Sequence, residues 1–388
     1  KTFTREDIIE INCHGGIAPT NKVLEVLLKN GARLAEPGEF TKRAFLNGRI
    51  DLLEAEATMD LISSATDKAR KISINTLTGE TSNLIKDLRS DLVGIISNIE
   101  VNIDYPEYDV EEVSQNIAEK KLQEVENDLV KLSKSFENGK VLKEGVKIAI
   151  IGSPNAGKSS LLNAILREDR AIVTDIAGTT RDIIEEQVII EGIPFKIIDT
   201  AGIRDTDDII EKIGVEKSIK ILEEMDLVLY LINGQEGVSK EDFEILSKIQ
   251  NKGLKYITVI NKMDLTEKSI LDGILKELNE NGIKEPICIS VENNEGIDEL
   301  KNEIIELFDA NDLDYSHELI ITNERHKDLL KKAIGYLKDA QKEIAFGQPI
   351  DIVSIYVKKS TKTLGEIIGA DVTQDIIAKI FEKFCLGK

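Results

Sequence analysis

The strongest constraint on the fold is a short glycine-rich segment that directly follows an apolar run. Residues 152–159 read Gly-Ser-Pro-Asn-Ala-Gly-Lys-Ser and complete the pattern G-x-x-x-x-G-K-[ST], and residues 146–151 before them read as a buried strand. Such a loop surrounds phosphates with backbone N–H groups, and the N-terminus of the next helix adds positive potential. Lys158 is expected to reach the outer phosphates and the Ser159 hydroxyl to bind Mg²⁺. The sequence therefore predicts a nucleotide phosphate site between a strand and a helix.

Three further motifs follow in the order expected of a guanine-nucleotide domain. Asp199-Thr200-Ala201-Gly202 ends an apolar run, as a D-x-x-G sensor of Mg²⁺ and the γ-phosphate does. Asn261-Lys262-Met263-Asp264 ends a later run, and the Asp264 carboxylate can accept hydrogen bonds from N1 and N2 of guanine. Ser290 ends the last apolar run and is expected to support the base from behind. All four motifs in this order predict GTP as the ligand.

The distribution of apolar runs predicts a nucleotide domain set inside a helical protein. From residue 146 apolar strands alternate with helical segments, which indicates a mainly parallel sheet covered by helices, as in Ras-like P-loop GTPases. Long helical patterns run from 51 to about 101 and from about 113 to 142, and helical patterns return after about 308. Residues 1–47 mix short apolar runs with Gly and Pro and read as part of a small α/β unit. We expect domains at 1–47, 48–144, 145–308 and 309–388, the second and fourth being two parts of one all-α domain.

Composition restricts the cellular setting and the partners. The formal net charge of −21 leans against RNA binding by the whole surface, so any RNA contact needs a local basic patch. Three widely separated cysteines argue against a disulfide framework and favour a reducing compartment. The sequence contains no apolar run long enough for a membrane span and opens with polar residues, so we expect a cytoplasmic protein without a membrane partner.

The hydrolytic machinery departs from that of Ras. Ras places a Gln after D-x-x-G to orient the attacking water, but Ile203 occupies that position here. The sequence shows no obvious arginine finger. Arg181 and Arg204 lie close to the switch motifs, and an ordinary solvated or structural role for them is about equally plausible.

Three segments resemble one family. The run 171–182, Ala-Ile-Val-Thr-Asp-Ile-Ala-Gly-Thr-Thr-Arg-Asp, resembles switch I of the bacterial MnmE (TrmE) tRNA modification GTPases, although Era and EngA share much of it. The run 37–48, Pro-Gly-Glu-Phe-Thr-Lys-Arg-Ala-Phe-Leu-Asn-Gly, and the end Phe384-Cys385-Leu386-Gly387-Lys388 are similar to MnmE and not to those relatives. The resemblance covers the whole chain and implies that residues 1–47 are part of an N-terminal folate-binding domain.

The resemblance implies a cation-assisted GTP site. Asn155 matches the family's potassium ligand, and K⁺ there can act as an arginine finger does by offsetting charge on the transferring phosphate. The other positions implied for K⁺ are Thr174, Ile176 and Thr179. Thr180 matches a second Mg²⁺ ligand beside Ser159, and Glu211 matches the acid that helps to position the attacking water. The full set of expected GTP-binding residues is Asn155, Ala156, Gly157, Lys158, Ser159, Ser160, Thr174, Asp175, Ile176, Ala177, Gly178, Thr179, Thr180, Asp199, Thr200, Ala201, Gly202, Asn261, Lys262, Met263, Asp264, Ser290, Val291 and Glu292.

The resemblance also implies a folate site and a second reaction. Glu10, Arg49 and Lys388 match folate-contacting positions, and Cys385 is either a nucleophile of the modification reaction or a thiol packed against the folate pocket. In the family a homodimer works with an FAD- and NADH-dependent partner, MnmG (GidA). Together they add an aminomethyl-type group to carbon 5 of the wobble uridine of tRNA, with a 5-formyl- or 5,10-methylene-tetrahydrofolate at the folate site.

Two other functions compete with this interpretation. A ribosome-assembly GTPase of the Era or EngA type would share the nucleotide site, but it would carry a KH-type RNA-binding domain or a second G domain, and neither is evident after Phe308. A purely conformational binding module with negligible turnover is the third reading. Glu211 and the expected K⁺ ligands argue against it.

Overall fold

The chain divides into two compact units. The computed structural model describes residues 2–104, 111–153, 155–169, 185–198, 224–283, 285–308, 319–382 and 384. The first unit takes residues up to 64, 69–139 and those from 315 onward, and the second takes 65–68 and 140–314. Elements are numbered below in chain order within the described residues.

Helices build the described part of the first unit. They are α1 (Ile17–Lys29), α2 (Glu39–Leu46), α3 (Leu52–Ser63), α4 (Asp67–Leu77), α5 (Glu80–Asp104), α6 (Glu111–Glu144), α11 (Glu324–Ala345), α12 (Ile350–Ile368) and α13 (Gln374–Phe381). The start of α4 and the end of α6 fall in the second unit. None of the helices in the described ranges combines the length and apolarity needed to cross a bilayer.

The stretch 51–101, which reads as one long helical pattern, forms three helices. A capping box starts α3, because Asp51 Oδ1 accepts from the Glu54 N–H at 3.0 Å and Glu54 Oε2 accepts from the Asp51 N–H at 2.8 Å. Gly79 separates α4 from α5 in a left-handed conformation with φ of 88°. The capping box lies where the pattern begins, whereas apolar periodicity continues past Gly79 and does not mark that break.

The main core of the first unit lies between α5, α6, α11 and α12. Ser360 of α12 donates to the Ala333 carbonyl of α11 at 3.1 Å, which shows how closely these two helices approach. Apolar residues recur at helical spacing on the inward faces, as helices need in order to bury a continuous stripe. The largest contributors are Ile85, Leu92, Leu122, Leu129, Phe136, Leu330, Leu337, Val357 and Leu364.

A smaller apolar cluster joins the chain end to α2 and α3. Phe381 of α13 lies with its ring centroid 4.7 Å from Phe384 and 6.4 Å from Phe45. Gly38, with φ of 65°, lies so close that a Cβ there would sit 2.6 Å from Phe384 Cβ. The two segments that carry the family resemblance, 37–48 and 384–388, therefore meet at this cluster through their described residues.

A buried charged cluster holds the segment that returns from the second unit. Glu56 of α3 accepts from Arg325 Nη2 at 2.8 Å and lies 2.6 Å from His326 Nε2. Arg325 also donates to the Glu366 carbonyl at 3.0 Å, which caps the end of α12. Burial alone would raise the pKa of Glu56, but the charges of His326 and Arg325 and their hydrogen bonds outweigh it and lower that pKa to about 2.

The second unit contains a six-stranded sheet. Its strands are β1 (Val146–Gly152), β2 (Glu185–Ile190), β3 (Ile193–Ile198), β4 (Leu227–Asn233), β5 (Tyr256–Asn261) and β6 (Ile287–Cys288), in the order β2-β3-β1-β4-β5-β6. All neighbours pair in parallel except β2 and β3, which form an antiparallel hairpin. The described helices of this unit are α7 (Lys158–Asp169), α8 (Lys240–Asn251), α9 (Lys268–Glu280) and α10 (Ile297–Glu306). The mainly parallel sheet expected from the apolar runs is confirmed, and β2 is the strand that was not anticipated.

The N-terminal segment differs from the expectation of a mixed α/β unit. Residues 2–49 form α1 and α2, and no strand forms among them. Ile9 and Ile11 in the extended segment before α1 are 88% and 53% exposed, and no ladder pairs this segment with another described one. A strand needs a neighbour for its backbone N–H and C=O groups, so the extended segment alone does not become one.

We predict that the Glu56 cluster makes the stability of the first unit depend on acid pH. Because the pKa of Glu56 is lowered in the fold, its contribution is present above its ordinary value of 4.5 and is lost as the pH falls toward 2. A shift of this size corresponds to about 3 kcal/mol of unfolding free energy. Glu56→Gln should lose that stability at neutral pH and flatten the dependence between pH 5 and 2, measured by urea unfolding at each pH.

The matched control is Glu100→Gln, which removes the exposed ion pair of Glu100 with Lys358. Exposed pairs contribute roughly 0–1 kcal/mol, so this variant should keep the native pH dependence. Identical pH profiles for Glu56→Gln and the unmodified chain would contradict the assignment.

Candidate guanine-nucleotide site

The phosphate loop lies between β1 and α7, as the motif requires. Gly152 has φ of 150° and passes so close to β4 that a Cβ would collide with the Leu231 carbonyl. The Lys158 ammonium donates to the carbonyls of Gly152 and Ser153, both at 2.8 Å, so the lysine folds back over the loop. Asn155 is exposed and left-handed with φ of 59°, a conformation that asparagine tolerates better than most residues. The loop therefore presents its lysine and its asparagine on the same short turn.

Asn261 connects the phosphate loop to the base-recognition loop. Its Nδ2 donates to the Ala156 carbonyl at 2.8 Å, and its Oδ1 accepts from the Val291 N–H at 3.3 Å. The side chain is only 2% exposed, so both hydrogen bonds form away from bulk water. Gly157 allows this contact, because a Cβ there would collide with the Asn261 amide. One buried side chain thus fixes the loops that follow β1, β5 and β6.

Asp264 is oriented from behind by a buried serine. Ser290 is fully buried, and its Oγ donates to Asp264 Oδ1 at 2.6 Å while accepting from the Asn293 N–H at 3.2 Å. Asp264 itself is an exposed residue of the 3₁₀ turn Met263–Leu265, and its Oδ2 makes no hydrogen bond to another described residue. This arrangement suits a carboxylate that accepts hydrogen bonds from the edge of a base.

The family is shown by comparison with known proteins. The model of the MnmE helical domain matches residues 52–385, and that of the GTP-binding protein TrmE N-terminus matches residues 1–49. Curated relatives named tRNA modification GTPase MnmE are 48% identical in Acetivibrio thermocellus and 49% identical in Enterococcus faecalis, each over 100% of this chain and 83% of the relative. The chain belongs to the MnmE family of tRNA modification GTPases.

A relative from Oceanobacillus iheyensis with the same name is 48% identical over 100% of this chain and 84% of its own length. Among solved structures, the translation elongation factor SelB of Methanococcus maripaludis in its apo form matches 42% of this chain and 33% of its own. It does so at 18% identity with a TM-score of 0.33.

Several positions that the family resemblance implies lie outside the described residues. They are Thr174, Asp175, Ile176, Ala177, Gly178, Thr179, Thr180, Asp199, Thr200, Ala201, Gly202, Glu211, Cys385 and Lys388. Ser159 and Ser160 are described and lie in the first turn of α7. Glu292 follows Val291 in an exposed turn and forms no hydrogen bond or ion pair with another described residue.

Two of the residues expected to bind cations, Ser159 and Asn155, lie within the described ranges. Ser159 Oγ makes no hydrogen bond to another described residue, at the helix start where a Mg²⁺-binding hydroxyl belongs. The Asn155 amide is likewise without a partner within the described ranges, and its carbonyl oxygen suits K⁺. No group of three or more His, Cys, Asp or Glu side chains among the described residues could hold a metal ion.

The structure describes two of the three expected folate positions, Glu10 and Arg49. Glu10 and Arg49 are both exposed, and neither side chain bonds to another described residue. Arg49 follows α2, and its backbone N–H donates to the Ala44 carbonyl at 2.8 Å. Arg49 therefore lies beside the cluster formed by Phe45 and Phe381, whereas Glu10 lies in the extended segment before α1.

Sequence reasoning missed two residues beside the base loop. Thr266 Oγ1 donates to the Lys262 carbonyl at 2.8 Å, and the Gly234 N–H donates to the Asn261 carbonyl at 2.9 Å. A threonine two residues past the N-K-M-D motif and a glycine directly after β4 were the available signals. Neither matches a named motif, so only the structure relates them to the site.

We predict that Asp264→Asn transfers the nucleotide preference from guanine to xanthine. The amide offers a donor where the carboxylate offered an acceptor, and xanthine carries a carbonyl where guanine has its amine. Loss of two charge-assisted hydrogen bonds should weaken GDP binding by about 100-fold, while XDP binding improves. The measurement is a fluorescence titration with labelled GDP and XDP. Asp272→Asn, which changes an aspartate of the nearby α9, is the control and should keep the native preference.

Proposed function

We propose that this chain is a K⁺-dependent GTPase whose turnover drives a tRNA modification. With an FAD-dependent MnmG (GidA) partner, it adds an aminomethyl-type group to carbon 5 of the wobble uridine. The observation that carries the proposal is the Asn261 bridge, which joins a complete phosphate loop to a guanine-selective carboxylate in a chain of this family. Curated relatives are named tRNA modification GTPases, and that name supplies the coupled reaction.

The proposed domain organisation follows the division into two units. A G domain over 145–308 is inserted in a helical domain made of 48–144 and 309–388, with part of a folate-binding domain at 1–47. The strand order and the loops after β1, β5 and β6 support a Ras-like G domain. The matches of residues 52–385 and 1–49 to two separate family models support the helical and N-terminal assignments.

The chain's own residues bind and orient the nucleotide. Lys158 transfers its hydrogen bonds from the loop carbonyls to the outer phosphates, and backbone N–H groups of residues 155–160 surround them. Asp264 selects guanine, with Ser290 holding its carboxylate in position. In the proposal Ser159 and Thr180 hold Mg²⁺, and Asn155 holds K⁺ with Thr174, Ile176 and Thr179. When bound, these cations supply positive charge to the transferring phosphoryl group.

A carboxylate takes over the orientation of the attacking water. Ile203 stands where Ras has its glutamine and offers no hydrogen bond. We assign the task to Glu211, which lies eight residues further along the same switch region in the sequence. Its carboxylate would accept a hydrogen bond from the attacking water and hold that water in line with the γ-phosphate.

The folate and modification site is proposed at the chain end. Glu10, Arg49 and Lys388 contact 5-formyl- or 5,10-methylene-tetrahydrofolate, and Cys385 serves the modification reaction. The packing of Phe384 on Gly38 supports this proposal, because it brings the neighbour of Cys385 to the segment that ends at Arg49. The remaining partners are a second copy of the chain, MnmG and tRNA, in the cytoplasm.

A ribosome-assembly GTPase of the Era or EngA type is the weaker proposal. It would use the same phosphate loop and the same guanine-selecting carboxylate. The match of residues 52–385 to the MnmE helical domain gives no support to it.

We predict that GTP turnover is about 100-fold faster in K⁺ than in Na⁺, because a charge-stabilising group at the transferring phosphate has an effect of that order. Na⁺ is smaller and fits an oxygen cage of the same size poorly. Asn155→Ala should remove most of the difference while leaving GDP affinity near native, since Lys158 still holds the phosphates. Asn163→Ala, an exposed asparagine of α7, is the control. Steady-state phosphate release measures all three, and equal rates in the two salts would falsify the K⁺ assignment.

We predict that Glu211 and Cys385 separate hydrolysis from modification. Glu211→Ala should bind GTP normally, hydrolyse it slowly and lose modification. Cys385→Ser should hydrolyse GTP at the native rate and still lose modification. The measurements are single-turnover hydrolysis in vitro and mass spectrometry of wobble nucleosides from cells that carry each variant of the full-length protein. If Cys385→Ser retains modification, the thiol has only a packing role; if Glu211→Ala turns over normally, it is an ordinary surface acid.

A further inference from the structure

The turn that carries the guanine-selecting carboxylate contains a backbone conformation that needs support. Lys262 has φ of 66°, in the left-handed region. A residue with a side chain is strained in this region and persists there only where its surroundings determine it. Asp264 follows two residues later, so any change at Lys262 moves the carboxylate. The groups that hold Lys262 therefore contribute to the position of Asp264, together with the Ser290 hydroxyl that binds its carboxylate.

The Thr266 hydroxyl is the side-chain group that holds this turn. Its Oγ1 donates to the Lys262 carbonyl at 2.8 Å, and the Leu265 N–H donates to the same carbonyl at 3.0 Å. The Thr266 N–H donates to the Met263 carbonyl at 3.3 Å. Thr266 thus binds Lys262 through its side chain and Met263 through its backbone, and Asp264 lies between these residues and Thr266.

Gly234, directly after β4, leaves the space that the Thr266 hydroxyl occupies. It is buried, and its N–H donates to the Asn261 carbonyl at 2.9 Å. A Cβ at this position would lie 2.9 Å from the Asn261 carbonyl oxygen and would collide with Thr266 Oγ1. Its φ does not lie in the left-handed region, so an alanine here is opposed by these contacts and not by backbone strain. The glycine leaves space for the hydroxyl at the one place where it reaches Lys262.

We propose that Thr266 is a positioning residue for guanine selection, which it achieves by fixing Lys262 and, through it, Asp264. The proposal rests on guanine-nucleotide binding by this chain. Thr266 donates to the base loop and to no described residue of the phosphate loop. Its loss therefore weakens nucleotide affinity and base discrimination and leaves phosphoryl transfer at saturating GTP intact.

A purely structural role makes a different prediction. Thr266 precedes α9, which begins at Lys268, so its hydroxyl could contribute only to stability. In that case a substitution would lower the melting temperature and leave the ratio of GDP to IDP affinity unchanged. Inosine lacks the exocyclic amine of guanine, which donates a hydrogen bond to Asp264. The ratio of GDP to IDP affinity therefore reports the position of the carboxylate and not the stability of the fold.

The experiment compares Thr266→Val with Thr266→Ser in the full chain, with labelled GDP and IDP as probes and GTP turnover as the second measurement. Valine keeps the shape and removes the hydroxyl, so GDP should bind roughly 5- to 10-fold more weakly, as expected for loss of one hydrogen bond. The GDP-to-IDP ratio should fall by a similar factor, and kcat should stay within about twofold, since the phosphate site is unchanged. Serine should restore the native GDP affinity and the native GDP-to-IDP ratio.

Thr258→Val is the matched control, because Thr258 lies in β5 and its buried hydroxyl has no partner among the described residues. It should leave both affinities unchanged. Gly234→Ala keeps the hydroxyl but displaces it, so it should lower the GDP-to-IDP ratio as Thr266→Val does, and it carries the test if the valine variant does not fold.

A native GDP-to-IDP ratio in both Thr266→Val and Gly234→Ala overturns the positioning role, as does a serine variant as weak as the valine variant. A fall in kcat at native affinity overturns it as well. Failure of the unmodified chain to bind GDP would instead overturn guanine binding itself.

Discussion

The nucleotide site depends on the two hydrogen bonds of the Asn261 side chain. Its amide nitrogen holds the Ala156 carbonyl of the phosphate loop, and its amide oxygen holds the Val291 N–H after β6. These loops follow different strands, and sheet pairing alone fixes only the strand ends from which they leave. Because the side chain is buried, loss of either partner would leave an unsatisfied polar group at a cost of about 1–3 kcal/mol. Asn261 therefore links the phosphate loop to the loop after β6 that supports base recognition.

The helical unit has a comparable constraint in Glu56. This carboxylate binds Arg325 and His326 in the first turn of α11, soon after the chain has returned from the second unit. Arg325 in turn caps α12, so the same ion cluster fixes the return segment, α3 and the end of α12. A buried charge that loses its partner is strongly destabilising, which makes the three groups act as a set. Each unit thus relies on a buried polar residue that joins segments far apart in sequence.

The sequence was sufficient wherever a pattern is local. Five of the six strands were found, because parallel strands are buried on both faces and read as apolar runs, and four of these runs end at a motif residue. The hairpin strand β2 was missed since its signal, Glu191 and Gly192 with φ of 50° and 77°, is a two-residue turn inside a longer apolar stretch. The breaks at residues 64–66 and at Gly79 were missed because helical periodicity continues across them. Contacts such as Glu56 with His326, 270 residues apart, leave no local signal at all.

Glycines in the recognised motifs mark places where one distant motif meets another. Gly157 of the phosphate loop has room for no Cβ because the Asn261 amide lies against it, and Gly38 has none because Phe384 does. In both cases the glycine belongs to one motif and the contacting side chain to another, more than 100 residues away. A glycine in a motif is usually explained by its own turn, and both of these do have positive φ. The close approach of a side chain from the other motif is a second requirement. It brings two segments that are far apart in sequence into direct contact.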